Sequence, residues 1–468
     1  MSGATPVGFR DRAREALADP TLREALLSIR RGWPHARARA IARLPEFDAL
    51  RDRGRAIKDH VLAHLDLYLE RFERAVTASG GSVHWARDAA EARRLVLEIC
   101  KRAGARTVTK SKSMIAEEID LNAWLEAHGI VPVETDLGEY IIQLAGQRPS
   151  HLVGPAVHMT REEITELFAR HHGTPPSERA EELVAEARRV LRRRYLEADV
   201  GITGANFLIA ESGSVITVTN EGNAELTHGL PRTQIVVASI EKIVPTMEEA
   251  FTLLRLLARS ATGQEFSTYT TVVTGPRRAE DLDGPEAFHL VLLDNGRSGM
   301  LDGTLRSMLR CIRCGACLNH CPVYLAVGGH AYGSVYVGPM GAVLSPVLYG
   351  IEKARALPEA SSFCGRCEEV CPVRIPLPAL MRYWREEAWR RRLAPPAARW
   401  GMRLWRHLAL RPGLYRVASG LVARVLGLLA GRRGALRRLP LAGGWTGSRD
   451  LPAPEGATFT SLYRKGVR

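Results

Sequence analysis

The sequence predicts a mixed α/β chain in four parts. These are an N-terminal helical region at 1–80, a mostly parallel sheet domain at 81–298, an α-helical cysteine-rich domain at 299–378, and a basic helical region at 379–468. Three observations predict this order. Apolar residues recur at helical spacing up to a glycine break at 80–81. Short β-branched runs then alternate with helical segments to about Gly275. Finally, seven of the eight cysteines fall in two short runs, beyond which arginine and tryptophan dominate.

Residues 8 to about 78 read as helix throughout. In "HVLAHLDLYLERFERAV", Val61, Leu62, Leu65, Leu69 and Phe72 share one stripe with charges opposite. "ASGG" stops the pattern. Strands follow in "GSVHWA", "RTVTK", "IVPVETD", "HLVGPAV", "DVGITGA", "SVITVTN", "QIVVASI" and "YTTVVTG". Helices lie between them at 87–103, 114–128, 161–171, 178–197 and 246–260, two with capping-box starts, Thr160 with Glu163 and Thr246 with Glu249. Such alternation predicts a mostly parallel sheet, because parallel strands need the crossovers that helices supply. "GANFLIAESGSVITVTNEG" is the exception, an antiparallel insertion hinged at Ser212 and Gly213. A last strand, "FHLVLLDNG", leads into the cysteine region.

Charge separates the tail from the rest. Of the net +14, residues 373–468 hold 20 Lys plus Arg against 4 Asp plus Glu, leaving 45 against 47 before them. The large domain is therefore no basic nucleic-acid binder, whereas the tail could meet acidic lipid or an acidic partner. No secretory pattern opens the sequence. No run of about 18 uncharged apolar residues occurs; Leu414 to Ala430 comes nearest and carries Arg416 and Arg424. The expectation is a cytoplasmic chain, with peripheral contact at the inner membrane face left open for the tail.

The cysteines carry the strongest chemical signal. Cys311, Cys314, Cys317 and Cys321 stand as C-x2-C-x2-C-x3-C-P, and Cys364, Cys367 and Cys371 as C-x2-C-x3-C-P. Two residues between thiolates let successive sulfurs converge on one iron–sulfur cube, while the Cys-Pro sulfur reaches the neighbouring cube. That crossing assigns Cys311, Cys314, Cys317 and Cys371 to a first [4Fe–4S] cluster, and Cys321, Cys364 and Cys367 to a second. Superposing the runs puts the missing ligand at Ser361. The second cluster could be a cube with Ser361 or another oxygen on its fourth iron, a cube with an open iron, or a [3Fe–4S]. Zinc fits less well, since one complete run is a poor tetrahedral clamp beside paired C-x2-C units. His320 is expected to line the clusters, with tuning of the potential or rare ligation as the alternatives, and Cys100 reads as a buried helix thiol.

In the α/β domain, "TKSKSM" sets Lys110, Ser111, Lys112 and Ser113 between a strand and a helix start, where amides and lysines favour a carboxylate or phosphate. Lys110, Lys112, Ser113 and Asn220 are the expected substrate- or anion-binding residues. Solvated lysines and a Ser113 helix cap are the plain alternative. Glu221 in "TNEGNAEL" follows an apolar strand, where α/β sheets place ligands, and is the expected acid–base or substrate-orienting group, with Glu211 behind it. A turn role beside Gly222 competes with it. No G-x-G-x-x-G follows a first strand and no flavin motif stands out, so a hydride acceptor within the chain is unsupported.

"CIRCGACLNHCPVY", "YGSVYVGPMGAVLSP" and "SSFCGRCEEVCPVRI", with "SKSMIAEEIDLN", "ETDLGEYIIQL", "ADVGITGANFLIAESGSVITVTNEGN" and "LPRTQIVVASIEKIVPT" upstream, resemble the lactate utilization protein B family. The resemblance runs from about residue 8 to 380, and that family also lacks the cysteine at the position of Ser361. It implies an iron–sulfur subunit that acts with two other subunits to oxidise L-lactate to pyruvate. It also implies a sugar-isomerase/CoA-transferase-like sheet domain and two four-iron clusters. Lactate oxidation needs a two-electron acceptor before one-electron clusters, so this chain alone does not complete the reaction. Two other readings stand beside it: an electron-transfer adaptor for another 2-hydroxy-acid dehydrogenase, or a substrate-binding isomerase/CoA-transferase-type enzyme with structural clusters.

The tail resembles the family only loosely. Trp384, Trp389, Trp400 and Trp405 interleave with Arg385, Arg390, Arg399, Arg403 and Arg406. Such helices dock a partner subunit, lie on an anionic membrane surface, or pack ordinarily.

Overall fold

The sheet domain forms where the β-branched runs predict it. In the computed structural model, which describes residues 5–177, 179–439, 446–447 and 449–466, its strands are β1 (Ser82–Ala86), β2 (Thr107–Lys110), β3 (Val131–Glu134), β4 (Val200–Thr203), β5 (Phe207–Ile209), β6 (Ser214–Thr219), β7 (Thr233–Ser239), β8 (Ile243–Val244), β9 (Tyr269–Val273) and β10 (Ala287–Leu293). Six make one sheet in the order β1-β10-β7-β4-β2-β3, every pair parallel. The chain steps outward from β2 to β3, then returns to the other side of β2 as β4 and continues to β7 and β10. The switch point therefore lies between β2 and β4. A smaller sheet, β8-β5-β6-β9, contains the expected antiparallel β5–β6 pair.

Alternation along the central strands buries both faces. Ile235, Val237, Val291 and Leu293 meet Val96, Ile99 and Cys100 of the helix Ala89–Arg102. Val236, Ala238, Leu290 and Leu292 meet Val61, Leu65, Leu69 and Phe72 from the helices Phe47–Ala63 and Leu65–Ala78. Each large aliphatic or aromatic side chain so sealed stabilises the fold by about 1.5–3 kcal/mol. The N-terminal helices are thus one layer over the sheet. Thr160 and Glu163 form a reciprocal capping box; Thr246 accepts the Glu249 N–H, but Glu249 returns to the Thr246 hydroxyl.

Several expectations differ in detail. "HLVGPAV" forms no strand but an irregular loop: the buried His151 accepts the Val153 and Gly154 N–H groups, which turns the chain on itself. The 114–128 helix is split into Met114–Glu118 and Leu121–Glu126 by Asp120 in the left-handed region (φ 53°). A helix at Leu137–Leu144, capped by Asp136, was hidden behind the apolar run of β3. The helix expected from 178 is Ala180–Leu196, and residue 178 lies outside the described residues.

The chain divides into two compact units, 1–388 and 389–468. The expected boundary at 378/379 falls inside one helix, Leu377–Arg390. Trp384, expected in the tail, is instead buried and donates its indole N–H to the Val343 carbonyl at 2.9 Å. Arg385 likewise binds the carbonyls of Pro358, Glu359 and Ser361 and lies over the Phe363 ring at 4.2 Å, fastening the approach to the second cysteine run. In the second unit, the helix Pro396–Ala409 buries none of its residues and Pro412–Ala430 buries only Ala423 and Ala430. Pro412–Ala430 is, among the described residues, the one helix long and apolar enough to cross a membrane by length and composition, despite Arg416 and Arg424.

Candidate functional site

The two cysteine runs share one backbone path. Arg313 (φ 61°) and Gly315 (φ 74°) bend the first into the helix Ala316–Asn319, and Phe363 (φ 55°) and Gly365 (φ 80°) bend the second into Arg366–Glu369. By this correspondence Ser361 occupies the place of Cys311. Its hydroxyl accepts the Phe363 N–H at 3.2 Å, a local turn bond. Each Cys-Pro sulfur is met by amides just beyond it: the Tyr324 N–H reaches Cys321 Sγ at 3.5 Å, and the Ile375 N–H reaches Cys371 Sγ at 3.3 Å. Arg51, from the helix Phe47–Ala63, donates to the Cys371 and Glu369 carbonyls and holds the second run in place.

The thiols fall into two neighbourhoods. Burial pushes Cys314 up to about 12, and Cys371 and Cys311 push it further the same way. Burial raises Cys317 well above its ordinary range, with Cys314, Cys311 and Cys371 pushing the same way and Cys367, of the other neighbourhood, after them. Cys311, Cys314, Cys317 and Cys371 also line one pocket together. In the other neighbourhood, burial lifts Cys367 to about 12, assisted by Cys321 and Cys364. Cys364 is exposed, whereas Cys314, Cys317 and Cys371 are buried. Crowded, buried sulfurs stay ionised only beside a cation, so this donor set fits a thiolate-bound metal centre. Sets of four and three, each drawing one sulfur from the other run, fit two adjacent cubes better than one tetrahedral zinc.

His320 bonds the Ala316 carbonyl through Nδ1. Cys100 is fully buried in the α/β core, with its thiol pushed up to about 12 by burial, and is chemically inert.

Beside the first neighbourhood lies a cavity of about 250 Å³. It opens at the carboxyl ends of the central strands, lined by Ser111–Ile115 after β2, Gly204–Asn206 after β4, Ser239 at the end of β7 and Lys242 beyond it. Its far wall is the cluster loop, through Arg313 and Cys314, and Leu152 lines both this cavity and the pocket of the four thiols. Gly204 is required for the close approach, since a Cβ there would lie 2.8 Å from Ser113 Oγ.

Of the expected site residues, Lys112, Ser113, Asn220 and Glu221 line this cavity. Ser113 caps the helix Met114–Glu118 through the Ala116 N–H, and Lys112 donates to the Val153 carbonyl and pairs with Asp136 at 3.5 Å. Asn220 is committed on both ends to Gln264 and Thr268. Glu221 accepts the Leu137 N–H, and its carboxyl is raised by desolvation first and by Asp136 second.

Lys110 and Glu211 are not among the lining residues. Lys110 is fully buried, its ammonium held by Glu134 at 2.7 Å and Glu117 at 3.1 Å, so it is spent within the fold and offers nothing to an external anion. Glu211 accepts the Met247 N–H and caps the helix Met247–Ala261, a structural task.

Sequence reasoning missed Lys242 and Arg313. Both were legible in principle: Lys242 follows the end of β7, where α/β sheets gather ligands, and Arg313 stands between two cysteines that were read for spacing alone. Behind them, Glu241 takes Arg313 at 3.1 Å and Arg297 at 2.9 Å, and Arg297 also holds Glu118 at 2.7 Å. This buried network ties the sheet to the cluster loop. Burial alone would raise Glu241, but Arg297 and Arg313 outweigh it and hold the carboxyl at about 2. Lys242 is drawn down to about 7 by burial and by the charge of Arg313.

Three sequence profiles match the chain: the LUD domain at 69–293, the 4Fe-4S dicluster domain at 307–375, and the C-terminal region of lactate utilisation protein B at 391–467. Lactate utilization protein B of Bacillus pumilus (strain SAFR-032) is 42% identical over 98% of this chain and 97% of its own length. The protein of the same name from Geobacillus kaustophilus (strain HTA426) is 45% identical over 97% and 96%. An uncharacterized electron transport protein, YkgF, of Escherichia coli (strain K12) is 42% identical over 98% and 96%.

Proposed function

The chain belongs to the lactate utilization protein B family, and from that premise we propose that it is the electron-carrying subunit of a multi-protein system that oxidises L-lactate to pyruvate. The observation that carries the reading is the crossed arrangement of seven thiols in two adjoining neighbourhoods. Cys311, Cys314, Cys317 and Cys371 hold a first [4Fe–4S] cluster. Cys321, Cys364 and Cys367 would hold a second, with Ser361 at the position where a fourth cysteine would stand. The chemistry such clusters supply is one-electron transfer.

The chain's own residues insulate the first site and expose the second. Buried Cys314, Cys317 and Cys371 would keep water from the first cluster, and exposed Cys364 would bring the second near the surface. Amide N–H groups to Cys321 and Cys371 stabilise sulfur charge and would raise the potential of a cluster bound there. Two other subunits supply what this chain lacks, a two-electron acceptor and the terminal outlet. The tail, rich in arginine and with Trp400 and Trp405 exposed, docks one of them. The system works in the cytoplasm, at the inner membrane face when its outlet is there.

The test is co-purification with the proteins encoded beside it, followed by lactate-dependent dye reduction. Wild-type complex should reduce dye, and Cys317→Ala complex should not. Dye reduction that survives Cys317→Ala would remove the clusters from the electron path. Anaerobic iron and sulfide assay should give about eight irons per chain, and fewer than about seven contradicts two cubes.

A further inference from the structure

We propose that the cavity at the switch point between β2 and β4 binds a small organic monoanion, a 2-hydroxy or 2-oxo carboxylic acid, with Lys242 taking its carboxylate and Ser111 its second oxygen. Only the identity of the acid rests on the lactate reading; the site stands on the following geometry.

The place is where open α/β sheets bind ligands, outside the carboxyl ends of strands whose connections part in opposite directions. Two groups there lack partners. Lys242, partly buried in the cavity wall, makes no hydrogen bond or ion pair among the described residues. The Ser111 hydroxyl is buried, with only 2% of the residue exposed, and has no hydrogen-bond partner. A buried hydroxyl left unbonded costs about 1–3 kcal/mol, so a site that keeps one is built for something that meets it.

The other charges are satisfied internally. Lys112 faces Asp136, and Arg313 faces Glu241. Lys242 is then the cation of the lining without an ion-pair partner among the described residues. One such ammonium, in the protonated form that a bound carboxylate favours, suits a monoanion. A phosphate would want a backbone cradle, and the helix after Ser113 is only five residues long. The size agrees: about 250 Å³ lies below the roughly 300–1,000 Å³ of pockets for drug-sized ligands, which favours a small acid over a flavin or nucleotide. Leu257 and Ala258 supply an apolar wall for the carbon chain, and Cys314 places the occupant against the first cluster's ligand shell.

The competing role for Lys242 is a counter-charge to the cluster alone. Equilibrium dialysis of radiolabelled pyruvate against the anaerobic, iron-loaded full-length chain separates the two. Saturable binding should appear, L-lactate should displace it, and inorganic phosphate should not. Lys242→Met, with iron content unchanged, should weaken binding at least about tenfold, the scale of a lost charge-assisted bond, and Ser111→Ala by about threefold or more. Pyruvate should also alter the electron paramagnetic resonance spectrum of the dithionite-reduced wild-type protein, a readout independent of any variant. Absence of saturable binding, displacement by phosphate, or unchanged affinity in Lys242→Met would overturn the proposal. Because no partner subunit is present, these failures are distinct from a failure of lactate-dependent dye reduction by the complex.

Discussion

Arg297 is 1% exposed and sits between two carboxylates, Glu118 and Glu241, each itself 1% exposed. Tyr336 adds its hydroxyl to Glu118 at 2.7 Å, and Arg313 carries the chain of charges on to the first cysteine run. Replacing one member leaves buried charge uncompensated, which costs about 3–5 kcal/mol. Arg297→Met is therefore expected to lower the midpoint of thermal or urea unfolding by that much, and a loss under about 1 kcal/mol would show the network to be dispensable. His151 makes a second residue-scale prediction. Its Nδ1 accepts two backbone N–H groups and its Nε2 meets Asn319 Oδ1 at 2.9 Å, so the ring is held neutral, and burial lowers it to about 4. The unfolded ring titrates near 6.5. Between those values the unfolded state binds more protons, so the contribution of His151 is full above about pH 6.5 and lost as pH falls towards about 4. The stability difference between about pH 7.5 and about pH 5 should shrink in His151→Gln, and an unchanged difference would count against a neutral buried ring. None of this was legible at the level of residue type. Lys110 looked like an anion-binding lysine in the sequence, but strand β2 is covered on both faces, so the same lysine is sealed between glutamates.

At the scale of elements, the periodic segments were readable and the aperiodic ones were not. β-branched runs marked the six parallel strands because a sheet buried on both faces needs continuous apolar sequence. The same composition misled at "HLVGPAV". Leu152 is buried there because the loop lies over the cluster loop, with His151 bonded to Asn319 and the Ser150 carbonyl accepting the Tyr324 hydroxyl. Gly329 permits that seat, since a Cβ at this residue would come 1.8 Å from the Ser150 carbonyl oxygen. Gly329→Ala should therefore displace the loop, destabilise the protein by more than about 2 kcal/mol, and hasten iron loss in air. Iron retention equal to wild type would argue that the loop does not shield the first cluster. At the cysteines, Cys311, Cys314, Cys317 and Cys371 line one pocket, while the ligand sets that spacing suggests are a matter for the iron and sulfide assay. What spacing could not tell was that Ser361 would be engaged in a local turn with Phe363.

Over the whole molecule, the chain is built as two compact units. The first joins the sheet, the cavity and the thiol neighbourhoods in one body. The second presents Trp400, Leu404, Trp405, Val417, Leu421 and Leu428 to solvent on arginine-bearing helices. A surface of that kind is covered in use. If a partner subunit covers it, removing residues 391–468 should abolish co-purification while leaving iron content unchanged. Flotation of the intact chain with anionic liposomes at low salt would instead assign the surface to lipid. The central claim, that electrons from lactate pass through this chain, is tested most directly by freeze-quenched electron paramagnetic resonance of the anaerobic complex mixed with L-lactate. Reduced-cluster signals should appear in the complex and not in this chain alone. Lactate turnover by the complex with both clusters still oxidised, when the outlet is blocked, would contradict it.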